Sequence, residues 1–145
     1  MKLPLRARVL IEEHALPIGV YQTTLPVGAL LDPPGKEGLA YMTGKMLLKG
    51  AGEHDQAAFA DALDYLGSSL GVAIGRDMTT IGGDALTAKA GAFEELVVAA
   101  LQSPRFEQAE LDKLARQTVA ELAQVRDNDG ALAQRLPTLQ KGVNR

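Results

Sequence analysis

Gly38-Leu39-Ala40-Tyr41-Met42-Thr43-Gly44-Lys45-Met46-Leu47-Leu48-Lys49-Gly50 reads as a short helix entered from the turn Asp32-Pro33-Pro34-Gly35. Leu39, Met42, Met46 and Leu47 recur at helical spacing and predict its buried stripe, while Tyr41 and Lys45, four apart, share a neighbouring face. A metal site on that face needs His, Asp, Glu or Cys at those two positions. With Tyr and Lys there, the element keeps its packing residues and has no ligands.

Upstream of the turn, Arg6 to Glu13 has a β-branched apolar centre between charged ends, and Pro17 to about Leu31 is a second extended segment. Two strands joined near His14-Ala15-Leu16-Pro17 are predicted. Pro17 and Pro26 lack the N–H that a ladder needs, so they belong at a strand start, an edge or a bulge.

Downstream, Ala58 or Phe59 with Ala62, Leu63 and Leu66 predict a helix over Asp55 to Leu66, with Asp55 as its N-cap and Gly67 as its stop. Ser69 to Gly75 and Asp77 to Leu86 read as a strand pair turning at Gly75-Arg76, with Gly82-Gly83 marking a bulge or an early end. A helix over Ala90 to Gln102 ends at Ser103-Pro104. A longer one over Glu107 to Arg126 keeps Leu111, Leu114, Thr118, Leu122 and Val125 on one face. Asp129 would cap a final short helix interrupted by Pro137, and residues 135–145 form a tail without a core signal.

The order strand, strand, helix, helix, strand, strand, helix, helix predicts an α+β fold, with helices packed on one face of a largely antiparallel sheet. At 145 residues, 46% hydrophobic and 23% charged, the chain suits a single core. A net charge of −3 and 4% aromatic residues leave neither the basic footprint nor the stacking surface of a nucleic-acid binder. The absence of cysteine excludes disulfides and thiolate metal sites. No run is long and apolar enough for a signal peptide core or a membrane span, so the default compartment is the cytoplasm.

Candidate chemistries fail one after another. His14 and His54 are the only histidines, and each lies beside acids at an element boundary, where a solvated side chain is the ordinary outcome. Gly35-Lys36 and Gly44-Lys45 lack the preceding glycine and the following Ser or Thr of a phosphate loop. No Gly-x-Ser-x-Gly elbow occurs, and adjacent carboxylates such as Glu94-Glu95 lie on amphipathic helices. Read from its residues alone, the sequence offers no intact active site.

Asp32-Pro33-Pro34-Gly35-Lys36-Glu37-Gly38-Leu39-Ala40 followed by Met46-Leu47-Leu48-Lys49-Gly50 resembles the N-terminal domain of the pitrilysin/insulinase family, which includes the mitochondrial processing peptidases. Glu12 to Pro17, Phe59 to Gly67, Arg76-Asp77-Met78-Thr79, Ser103-Pro104-Arg105-Phe106 and Glu110-Leu111 extend the resemblance from about Arg8 to Gln134. Active members carry H-x-x-E-H on the helix following Gly38-Leu39-Ala40: two histidines hold zinc, the glutamate activates its water, and a later glutamate completes the coordination.

The resemblance places Tyr41 and Lys45 at the histidine positions, Gly44 at the general base and Glu121 at the later ligand. It therefore implies no catalytic residue, no metal and no cofactor in this chain, since a phenol is a poor zinc ligand at neutral pH, glycine accepts no proton and an ammonium repels the metal. The strand that presents substrate also departs, with Gly71-Val72 where Asn-Ala is usual.

What the resemblance implies for function is a non-catalytic partner of an active, zinc-bearing family member, or a self-associating chain, in peptide or protein processing. The alternative is a structural or interaction scaffold with no processing role. It also implies a longer chain of repeated domains, of which residues 1–145 would be a truncated first. One finer expectation concerns charge: with zinc gone, a buried Glu121 needs a cation, and the Lys45 ammonium is expected within salt-bridge or water-mediated reach of it.

Overall fold

The computed structural model describes residues 17–126. Three strands and four α-helices follow in the order β1 (Ile18–Leu25), α1 (Leu39–Met46), α2 (Gln56–Leu66), β2 (Ser69–Ile74), β3 (Thr79–Leu86), α3 (Ala90–Gln102) and α4 (Gln108–Arg126). The sheet order is β1-β3-β2 and both pairings are antiparallel. This is the α+β arrangement expected. The predicted strand over Arg6 to Glu13, the cap at Asp129 and the tail at 135–145 lie outside the described residues.

Local chemistry sets most boundaries. Pro17 precedes β1 and Pro26 follows it, so both missing N–H groups fall beyond the ladder. The strand accordingly ends at Leu25 rather than near Leu31, and Ala29–Leu31 forms a 3-10 turn held to the β2–β3 turn by Ala29 N–H to Gly75 O (3.1 Å) and Leu30 N–H to Arg76 O (2.8 Å). Asp55 caps α2 by accepting from Ala58 N–H at 2.8 Å, and Gly67 closes that helix in the left-handed region at φ 63°.

Gly82 and Gly83 are a correction. β3 passes through both in unbroken register to Leu86, opposite Gln22 and Tyr21 of β1 and Gly71 and Leu70 of β2. The glycines serve close approach instead of a bulge. A Cβ on Gly82 would lie 2.8 Å from Tyr21 O, and one on Gly83 would run into the Ser69 carbonyl oxygen.

Strand alternation sends Leu70, Val72 and Ile74 of β2 and Ile81, Gly83 and Ala85 of β3 to the helix-covered face. The main core joins Ala51, Phe59, Leu66, Ala85, Phe93, Leu96 and Ala100, with Tyr21, Leu63 and Leu70 packed against it. Tyr21 and Phe93 meet at 5.3 Å between ring centroids with planes tilted by 51°. Met46, Ile81 and Leu114 are buried as well.

Two stripe predictions need amending. Leu39, the first residue of α1, is 48% exposed and not part of the buried stripe. Among the α4 side chains described, Leu114 alone is buried, while Leu122 is half exposed. No described helix is long and apolar enough to cross a membrane.

Candidate functional site

The site is built on α1, and a side chain outside the helix fixes where it starts. Asp32 accepts from Gly38 N–H (2.7 Å) through one carboxylate oxygen and from Ala40 N–H (2.8 Å) through the other, spanning the Pro33–Glu37 loop. Those donors are among the first N–H groups of a helix, which have no partner within it, and a negative charge there also suits the helix dipole. Within the same loop Glu37 accepts from Gly35 N–H at 3.0 Å, which holds its carboxyl below the usual carboxylate range.

In the sequence Asp32 reads only as the first residue of the turn into α1. Its cap was visible in principle as an acid ahead of a Pro-Pro-Gly loop, but the six-residue span to Gly38 is set by the loop's fold. Asp32→Ala is expected to lower the unfolding free energy by about 1 to 2 kcal/mol, with Asp32→Asn losing less, as read by urea denaturation.

Two elements flank α1. Gly44 faces β2, where an added Cβ would stand 2.7 Å from Ile74 Cγ1, 2.9 Å from Ile74 Cδ1 and 3.2 Å from Val72 Cγ1. Met42 faces α4, its Sδ 4.0 Å from Thr118 Oγ1. At about 100° per residue, Tyr41 and Lys45 fall on the arc between those contacts. They interact with each other: Lys45 Nζ lies 5.6 Å from the centroid of the Tyr41 ring, within cation–π range.

Glu121 follows Thr118 by one turn of α4, so it is close in rotation to the residue that meets α1. A direct Lys45–Glu121 ion pair is not formed. Glu121 is exposed rather than buried, and no salt bridge joins the two among the described residues. A solvated carboxylate carries no desolvation penalty and needs no fixed cation.

These residues do not fit a zinc ion. A phenol and an ammonium engaged with one another and a glycine pressed against valine and isoleucine offer no donor set. Among the described residues no three His, Asp or Glu side chains are grouped to hold a metal. His14 lies outside those residues. His54 is half-buried and its backbone exchanges two hydrogen bonds with Ala51 ahead of α2, as part of a helix entry.

Helix α1 thus lies between a strand and a long helix and carries no metal donor at positions 41, 44 and 45. The model of the insulinase family, peptidase family M16, matches residues 12–140. The chain belongs to the insulinase family.

Solved structures agree on the fold. An inactive M16 peptidase domain from Pseudomonas fluorescens is 24% identical with a TM-score of 0.76, covering 83% of this chain and 29% of its own. Pitrilysin matches at 23% identity and a TM-score of 0.69, over 80% of this chain and 12% of its own. A Helicobacter pylori protease matches at 22% and 0.63, over 75% and 26%. The chain thus spans less than a third of each of these insulinase-fold proteins. No curated protein matches it.

Proposed function

We propose that this chain is a non-catalytic member of the insulinase family that serves as the partner subunit of an active, zinc-bearing relative in peptide or protein processing. One observation carries the reading. The helix that bears H-x-x-E-H in active relatives keeps its cap, its buried Met46 and its contacts to β2 and α4, yet presents Tyr41, Gly44 and Lys45. Packing has been kept while the chemistry has gone. The similarity to a domain described as inactive supports the same conclusion.

Without zinc or a general base, the remaining tasks are shaping a chamber, holding peptide and stabilising the catalytic partner. Glu121, the remaining ligand-like position, is a solvated acid in this reading, and the chain carries no cofactor.

Purification of the protein from its native host, followed by metal analysis and peptide cleavage assays, tests this. Expected is a complex with a second chain that contains intact H-x-x-E-H and holds all the zinc. A complex without zinc or cleavage activity would replace the proposal with a scaffold role. Stoichiometric zinc and peptide cleavage from this chain without a partner would overturn it.

A further inference from the structure

The contact between Gly44 and β2 says more than that a base is missing. An ordinary close contact to a Cβ is 3.4 to 4 Å, whereas three side-chain carbons of Ile74 and Val72 stand 2.7, 2.9 and 3.2 Å from where a Cβ on Gly44 would be. Both residues are β-branched and held in a strand, so their χ1 angles have little freedom to retreat. Position 44 is buried, and the first atom of any side chain there meets occupied space.

We infer that the absence of a general base on α1 is built into its packing on β2: Ile74 and Val72 fill the volume a side chain at position 44 would enter. Restoring a glutamate at position 44 alone therefore does not rebuild a base on α1. This rests on the proposed reading of positions 41, 44 and 45 as former motif positions, but it adds a structural cause on a different element. Gly44 is the residue that permits α1 to sit so close, and Ile74 is the one that closes the space.

Gly44→Ala isolates the packing. Inside a helix this replacement ordinarily stabilises, because alanine has the higher helix propensity. Here it is expected to lower Tm by about 4 °C or more, and to lose that effect or reverse it when Ile74→Ala is also present. A rise in Tm on Gly44→Ala with Ile74 intact overturns the inference without any second substitution.

Zinc is the second readout. The chain carrying Tyr41→His, Gly44→Glu and Lys45→His, dialysed against zinc and analysed for metal, is expected to hold less zinc and to have a lower Tm than the chain carrying Tyr41→His and Lys45→His alone, and adding Ile74→Ala is expected to remove the difference. One zinc per chain at wild-type Tm in the first variant overturns the proposal. A four-substitution chain that gains neither zinc nor Tm over the three-substitution one overturns it too, and if no variant binds zinc while residues 44 and 74 still couple in unfolding, the fault lies in the assignment of positions 41, 44 and 45.

Discussion

Phe93→Ala is expected to remove about 3 to 5 kcal/mol of stability, the range for deleting a fully buried aromatic side chain. Phe93 is completely inaccessible to solvent and joins elements that nothing local in sequence holds together. It lies against Tyr21 of β1, its Cζ sits 3.0 Å from the Cβ position of Gly83 on β3, and it shares the main core with Phe59 and Leu66 of α2. Backbone on one side and close-packed rings on the other leave the cavity little means of collapse, which favours the upper part of the range. Against a total of about 5 to 15 kcal/mol for a domain of ordinary stability, this is a large fraction. Urea denaturation should show a lower midpoint with an unchanged slope.

Gly83→Ala ranks second, with an expected loss of about 3 kcal/mol at the upper end of overpacking effects. The obstacle is backbone: the new Cβ would run into the Ser69 carbonyl oxygen at the start of β2. A side chain could rotate away, but a strand must shift, and shifting β2 loosens its pairing with β3 and the Ser69 hydroxyl's hydrogen bond to Asp84. The same Cβ also presses on Phe93. Amide exchange offers a check that separates this from uniform destabilisation: protection should fall first along β2 and the adjoining part of β3. If β2 keeps its protection while global stability drops, the collision is being relieved elsewhere.

Where the sequence was legible, the reason was short range. The limits of α2, α3 and the β2–β3 turn follow from Asp55, Gly67, Gly75 and Ser103-Pro104, each acting on its immediate neighbours. Where the reading failed, the deciding partner was distant along the chain. Gly82-Gly83 looked like a bulge because a strand gains nothing from glycine by itself, and only the approach of Tyr21 and Ser69 explains the pair. Leu39 has the spacing of a core residue, yet whether a helix's first residue reaches the sheet depends on how the helix is set down. Glu121 was expected to be buried because the resemblance makes it a ligand, whereas exposure is a property of the packed surface.

The sequence by itself determined the α+β order of elements, the caps that delimit them and the identity of Tyr41, Gly44 and Lys45 on α1, because propensity, capping and side-chain chemistry act within a turn or two of the backbone. The tertiary structure decided that Gly44 lies against Ile74 and Val72, that Lys45 turns to Tyr41 and not to Glu121, and that Asp32 holds the start of the helix across a loop. The contacts of Gly44 and Asp32, and the separation of Lys45 from Glu121, depend on distances between segments, which arise only when the helices settle on the sheet.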